Sequence, residues 1–418
     1  MLSQSQTYFR KVTLIYVLCV VAFAVGYPFL SNANVDKTTI FLVILLQGAT
    51  NCTAYYYCAV YTHLLVADGK QYISDNITFI IHVGTSLVKI VLVALGFDVV
   101  VVQLGFFLVS LLKIPVLYGI CRKWYPWLQL RQTKSCELLK ERSAFVVHEV
   151  SSTIFSNTDV FIISTFCSLS LASVYSVYQL VFGALSTMIS TANAGLGFLL
   201  GQNYYKDRER FLQIYDCYSA LYSMVVFIVM TIAYIMITPF IRLYTAGVTD
   251  INYVMTWLPL LFTVLNVMSG SRAIANRLII VTGHAERTQK RSILEALINI
   301  IASLILVIWL DIYGVMLGTI IALMYRVNDI IIYANKVILQ RSPWKEYRGI
   351  LVNVILFAGI VAATSRLELV ASNYLELVGI AVIVSLAVAA MYAGVTVLLN
   401  RNIFQYFIRA LRQERQKQ

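Results

Sequence analysis

Long apolar runs broken by short clusters of charge recur along the whole chain. A run of about 20 apolar residues is what a helix needs to cross the hydrocarbon core of a bilayer. Read with their charged punctuation, the runs predict twelve helices, at 12–31, 39–66, 77–96, 99–120, 143–166, 171–201, 214–241, 253–283, 292–310, 312–335, 349–366 and 376–399. The first run follows Arg10 and Lys11 in the manner of a secretory signal. Its length of about 19 residues, with no small-residue cleavage site, makes it a retained span.

Composition strengthens this. Of the 418 residues, 60% are hydrophobic and 12% charged, with a mean hydropathy of +0.78; soluble domains carry about 25% charged residues. The net charge of +12 is resolved by its distribution. Twenty-four Lys and Arg fall in one alternate set of loops and termini, including "CRKWYPWLQLRQTKSCELLKER" (121–142), "KDRER", "RTQKR" and the C-terminal tail; the opposite set holds Lys37, Arg242 and Arg366, and five lie inside spans, which accounts for all 32. The positive-inside rule then puts both termini in the cytoplasm. The basic charge is a topology signal, and no nucleic-acid partner is implied. The seven cysteines show no metal-ligand spacing and read as free thiols.

The chain also repeats itself. "HLLVADGKQYISDNITFIIHVGTSLVKIVLVALGF" (63–97) aligns without a gap on "RLIIVTGHAERTQKRSILEALINIIASLILVIWLD" (277–311) at an offset of 214. Each copy ends a helix at a glycine (Gly69, Gly283), passes a short polar loop and starts a long apolar helix. Both copies run in the same direction, as in transporters built from two lobes. The expected fold is therefore an all-α polytopic membrane protein with about 12 transmembrane helices in two pseudo-symmetric lobes around a central cavity. Residues 1–142 would form a partial N-terminal lobe of four helices with a basic loop, 143–335 a six-helix lobe, and 336–418 two extra helices with a basic tail. Helices five and six have no partners in the first lobe, so either about two helices are missing before Met1, which is the expectation, or the first lobe is lopsided.

The fifth run, "EVSSTIFSNTDVFIISTF" (149–166), is unusually polar. Glu149, Ser152, Ser156 and Asp159 recur at i, i+3, i+7 and i+10, which shares one helix face, with Ile154, Phe155, Phe161 and Ile162 covering much of the other. An aspartate at mid-span costs roughly 2.5–3.5 kcal/mol on insertion scales, so Asp159 is expected to avoid lipid. A packing helix with back-bonded Ser and Thr is one account; a cavity-lining helix is the other. The sixth run, with Tyr175, Gln179, Ser186, Ser190 and Asn193 on one broad face, favours the cavity.

Lys89, Lys113, Arg272, Arg277 and Arg326 lie inside predicted spans. Arg277 and Lys113 can snorkel to an interface. Lys89 and Arg272 are nearer mid-span and are expected to face inward; Arg326 can also pair with Asp329 on its own helix, and Glu295 reads as a charge at a helix end. Inward cations suit an anionic ligand, and Arg can grip two oxygens of a diphosphate. The tyrosines of "AYYYCAVY" fit either sugar stacking or an interfacial belt. A polysaccharide polymerase or ligase would need a sizeable outer loop carrying acids and bases, and the outer loops are short. There is no nucleophile–base constellation, phosphate-cradling loop or metal cluster, so neither cofactor nor metal is expected.

The segment "NTDVFIISTFCSLSLASVYSVYQLVFGALSTMISTANAGLG" (157–197) resembles the seventh and eighth helices of bacterial O-antigen and capsule flippases, of the multidrug/oligosaccharidyl-lipid/polysaccharide exporter superfamily. Asn157, Thr158, Asp159, Ile163, Ser164, Val174, Tyr175, Ser176, Tyr178 and Gly195 carry the match. "YTHLLVADGKQYISDN" (61–76) is similar to the end of that family's fourth helix and the loop after it. The resemblance implies fourteen helices in the family, with the first helix here matching the third there. It also implies flipping of an undecaprenyl-diphosphate-linked oligosaccharide across the bacterial plasma membrane, with coupling to H+ or Na+ and an association with a polysaccharide polymerase. A drug or cation antiporter of the same superfamily is the alternative; it would carry mainly acidic cavity residues. Asp159, Asn157, Glu149, Arg272, Lys89, Arg326, Gln179 and Tyr175 are the candidate substrate-contacting residues.

Overall fold

The computed structural model describes residues 2–30, 36–68, 70–126, 153, 155, 157–194, 204, 208–249, 251–364 and 369–399. Glu149, Ser152, Ile154, Ser156, Gly69, Gly195 and the basic loop beyond 126 lie outside them, as does the side chain of Asn193. The chain folds as two compact units, Met1–Lys140 and Glu141–Gln418.

In the first unit, α1 (Leu2–Leu30) is followed by α2 (Lys37–Thr53), which runs through a π-helical turn (Ala54–Cys58) into α3 (Ala59–Ala67); α4 (Gln71–Ala94), α5 (Val99–Leu111) and α6 (Lys113–Trp124) complete it. The chain reverses between α4 and α5 at Gly96, φ +78°, and Asp98 caps α5 by accepting from the Val99 amide at 2.8 Å. The loop after α3 is pinned to the end of α6: the Asp68 carboxylate takes the Lys70 ammonium and the Tyr125 hydroxyl, each at 2.6 Å, and Lys70 lies 5.1 Å above the Trp124 ring. The hydrogen bond from Lys70, then that from Tyr125, holds the Asp68 carboxyl below the usual carboxylate range.

The second unit begins, for described structure, with helical residues 157–162 (α7) and a π-helical turn, Ile163–Cys167. Then come α8 (Leu169–Ala194), α9 (Arg208–Tyr244), α10 (Leu258–Ser271), α11 (Ala273–Val281), α12 (Ala285–Tyr333, with a π-helical turn to Leu339), α13 (Trp344–Thr364) and α14 (Tyr374–Leu399). The core packs α9 against α10, α13 and α14, and α10 against α12. Its largest buried side chains include Tyr178, Phe182, Phe227 and Tyr392.

Ten described helices are long and apolar enough to cross a membrane. One of them, Glu286–Leu339, has 54 residues and holds two spans. Asp311 (φ 47°, ψ −133°) breaks α12 into antiparallel arms, where the apolar runs 292–310 and 312–335 predict the boundary. The predicted spans thus all have counterparts, the fifth only in part. The periphery leaves Leu18, Phe79, Ile383 and Leu386 each more than 60% exposed. So broad an apolar surface is what hydrocarbon covers and water does not.

The repeat is written in helix ends. α3 and α11 begin at 59 and 273 and end at 67 and 281; α4 and α12 begin at 71 and 285, an offset of 214 at every boundary. Lys70 N donates to Leu65 O at 2.8 Å, as His284 N donates to Ile279 O at 2.9 Å. Gly283, at φ +75°, supplies the left-handed residue such a helix end requires. The preceding interruption also matches: the π-helical turn ends at Cys58, and α10 gives way to α11 at Arg272.

The two arms of α12 meet with no room for side chains at one point. A Cβ on Gly318 would stand 2.5 Å from the Ser303 backbone nitrogen. Gly318→Ala should therefore cost about 1–3 kcal/mol through overpacking and lower the thermal midpoint of the detergent-solubilised protein. Gly359→Ala on α13, where nothing lies within 4 Å, should leave the midpoint unchanged.

Candidate functional site

A cleft of about 190 Å³ opens beside Asp159, bounded by Phe155, Tyr175, Gln179, Phe262 and Thr319 among others. Asp159 is 3% exposed. Tyr175 donates to its Oδ2 at 3.0 Å, and the Thr319 hydroxyl lies 2.8 and 2.9 Å from its two oxygens. That hydroxyl accepts from Asn299 Nδ2 at 2.7 Å, which leaves its own proton for the carboxylate. One turn away, Ser303 Oγ donates to the Val315 carbonyl at 3.1 Å. The carboxylate is thus gripped from α8 and from the second arm of α12, with Asn299 of the first arm also in reach. Asn299 is fully buried, and its Oδ1 receives no hydrogen bond among the described residues.

Aromatic rings floor the cleft. Phe262 stacks with Tyr178 at 5.7 Å and Phe182 at 5.5 Å, and tilts against Tyr175 at 5.0 Å. Ser186 donates to Asn266 Oδ1 at 2.6 Å, and Asn266 is itself anchored on the Phe262 carbonyl at 2.8 Å. The cleft therefore offers one carboxylate, amides and hydroxyls above an aromatic wall.

The sequence candidates separate. Asp159, Tyr175 and Gln179 line this cleft together. Asn157 is exposed, and its amide donates back to the Thr153 carbonyl at 2.8 Å. Glu149 lies outside the described residues. Phe155 does not cover an opposite face; four residues before Asp159, it shares the cleft. Lys89, in the first unit, is half-buried with its ammonium 4.0 Å from the centre of the Phe106 ring. At the repeat offset it occupies the position of Ser303, as Thr85 occupies that of Asn299.

Arg272 and Arg326 are not free cations on this cleft. Glu295 bridges them, at 2.5 Å from Arg272 Nη1 and 3.3 Å from Arg326 Nε. Arg326 continues to Asp329 at 2.7 Å and to Ser292 at 2.7 Å, and Asp329 takes Arg291 at 2.5 Å. Glu295 is hence a buried bridge, and the expectation of a helix-end charge is corrected. Sequence reasoning passes over Asn299, Ser303 and Thr319, though Ser292, Glu295, Asn299 and Ser303 fall at spacings of three, four and four on an otherwise apolar helix. That stripe is their signal.

Glu295→Gln leaves the partly buried Arg272 without a carboxylate among the described residues and the buried Arg326 sharing Asp329 with Arg291. It should cost roughly 3 kcal/mol or more, the usual penalty for orphaning a buried charge. A loss of folded, monodisperse protein on gel filtration, larger than for Arg291→Gln at the exposed end, would bear this out.

No family model matches the chain, and no curated protein does. Among solved structures the chain is similar to lipid II flippase MurJ in an inward closed conformation, with a TM-score of 0.61 and 14% identity over 96% of this chain and 85% of that one. At that identity the likeness shows the fold, that of a polytopic membrane transporter.

Proposed function

We propose that the protein flips an undecaprenyl-diphosphate-linked oligosaccharide, an O-antigen or capsule repeat unit, from the cytoplasmic to the outer leaflet of a bacterial plasma membrane by alternating access. The observation that carries this is a hydrogen-bonding cleft with an aromatic wall, built around a buried carboxylate, in a fold like that of a lipid II flippase. In this reading both termini are cytoplasmic. Residues 1–142 form one lobe, 143–335 the other, and 336–418 add two helices; a polysaccharide polymerase would receive the flipped product. No bond is made or broken, so no catalytic residue is assigned.

The roles follow from the groups present. Gln179, Tyr175 and Asn266 offer hydrogen bonds to sugar hydroxyls, and Phe262 with its neighbours offers apolar ring faces. Lys89 is the mid-span cation with no ion pair among the described residues, and it is assigned to the diphosphate. Arg272 and Arg326 become positioning residues, held by Glu295 and Asp329. With their charge already matched, the distinction from a cation antiporter rests on Lys89.

Coupling is assigned to Asp159. Its carboxylate, Asn299 Oδ1, the Thr319 and Ser303 hydroxyls and the Val315 carbonyl bring five or more oxygens together from α7 and both arms of α12. A proton on Asp159 could satisfy Asn299 Oδ1 by donation; a sodium ion could do so by coordination, with the hard oxygen ligands it prefers. An inside-negative potential adds about 2.3 kcal/mol per charge per 100 mV to outward movement of the anionic substrate.

In proteoliposomes loaded with lipid-linked oligosaccharide, outer-leaflet appearance of sugar should be accelerated by the wild-type protein and fall to the protein-free rate for Asp159→Ala at equal protein abundance. Wild-type rates in that variant would falsify the role of Asp159. A sodium gradient at fixed pH, set against a pH gradient without sodium, distinguishes the two coupling ions. Lys89→Ala should raise the substrate concentration needed for half-maximal flipping while Lys89→Arg restores it; unchanged concentration dependence removes Lys89 from the diphosphate.

A further inference from the structure

A second polar cavity, of about 200 Å³, lies between the first turns of α13, the early part of α9 and the last turns of α14. Arg341, Lys345 and Arg348 line it, with Asp216, Glu346 and Asn353. Three cations against two carboxylates leave one positive charge. Both acids are already engaged. Asp216 takes Arg341 Nη1 and Lys345 Nζ, each at 2.5 Å. Glu346 accepts from Asn335 Nδ2 at 2.6 Å and lies 3.4 Å from the Tyr215 hydroxyl. Asn353 is turned to Ser223 Oγ at 3.2 Å. Arg348 lines the cavity, is exposed, and has no ion pair or hydrogen bond among the described residues.

The cavity lies toward the Lys/Arg-rich ends of the helices that line it. α9 has 37 residues, about 55 Å at 1.5 Å per residue, against a hydrocarbon core of about 30 Å. Asp216 and Ser219 lie in its first third, toward the end that opens with Arg208 and Arg210. α13 starts at Trp344, which is 65% exposed and of the type that anchors at the interface. Directly beyond the cations, the same helix turns Leu351 and Ile355 outward, 50% and 63% exposed. A group bound here would meet positive charge at one end and bare apolar surface at the other.

We propose that this cavity holds the phosphate of an anionic glycerophospholipid from the leaflet on the Lys/Arg-rich side, with Arg348 as its free contact and the acyl chains along the outward flank of α13. Charge complementarity calls for an anion, and the adjoining apolar flank calls for one that carries hydrocarbon. The paired Arg341 and Lys345 hold the pocket open and positive; Arg348 is the cation left to the ligand. The site is separate from the Asp159 cleft, with which it shares no lining residue.

The test is native mass spectrometry of the full-length protein released from bilayers of mixed phosphatidylglycerol and phosphatidylcholine. The wild type should retain phosphatidylglycerol preferentially. Arg348→Gln should lower that retention about five-fold, as expected for one basic residue at an anionic surface, and Arg348→Lys should restore most of it. Should a charge change at 348 compromise folding, Ser219→Leu fills the cavity from α9 without touching a charge and should give the same loss. Equal retention in the wild type, Arg348→Gln and Ser219→Leu overturns the proposal. So does a thermal shift with millimolar inorganic phosphate that depends on Arg348 while no phosphatidylglycerol is retained, which would assign the cavity to a soluble phosphate.

Discussion

A polar group inside hydrocarbon must find its partner within the protein, and the arrangement of the second unit follows from that demand. The two arms of α12 carry the polar side chains of its deepest part, and they answer one another rung by rung. Ser292 and Glu295 meet Arg326, Asn299 meets Thr319, and Ser303 meets the Val315 carbonyl. The rungs require the arms to lie close, and the glycines at 314 and 318 permit it. The ladder changes character along its length. Near the basic face it is ionic, with three arginines and two carboxylates; at depth it is neutral, until Asp159 joins it from α7.

The break in the helix at Arg272 belongs to the same logic. A continuous helix would carry that side chain past Glu295 at whatever angle its register dictated. At the junction of α10 and α11 the backbone departs from regular geometry, and the guanidinium reaches the carboxylate at 2.5 Å. The first unit interrupts its equivalent helix at the same place, with Cys58 where the second has Arg272. Interruption is therefore a property of the repeat, while the ion-pair network is particular to one copy. Lys89 reverses the comparison, placing a charge where the second copy has Ser303.

The spans were legible because each depends on local information: length, apolar content and a charged edge. The α12 reversal at Asp311 was legible for the same reason, since two runs of span length abut there. α1 begins near Leu2, about ten residues before its apolar run, because a helix once nucleated extends cheaply through polar residues beyond the hydrocarbon. The cleft was half legible. Tyr175, Gln179 and Asp159 stand on adjacent helices and share a polar face visible in sequence. Thr319 and Asn299 reach Asp159 from 160 and 140 residues away, and nothing local reports that. The mid-span arginines divide for a physical reason too, with the Arg326–Asp329 pair foreseen by its spacing and the Glu295 bridge not. A mid-span arginine must be neutralised by something, and sequence alone does not say whether the neutralising carboxylate arrives on a substrate or on a neighbouring helix. For Arg272 it is Glu295 on a neighbouring helix; for Arg326 it is Glu295 together with Asp329 from its own turn.

What the ladder leaves unmatched is as informative as what it pairs. Asp159 draws hydroxyls from α8 and α12, while Asn299 Oδ1 has no donor among the described residues. That carboxylate stands where α7 and both arms of α12 converge, the place to which ion coupling is assigned above. In the proposed coupling, a proton or sodium ion there would neutralise the carboxylate and meet Asn299 Oδ1 in a single event. Removing it would leave a desolvated anion held by hydroxyls alone, which favours movement of α7 or entry of water from the adjoining cleft. The proposed coupling would in this way link occupancy by a cation to the packing of three helix segments through one carboxylate. A π-helical turn four residues beyond Asp159, at Ile163–Cys167, gives α7 a backbone segment whose hydrogen-bond register is already irregular, and a shift there would cost less than one in a regular helix.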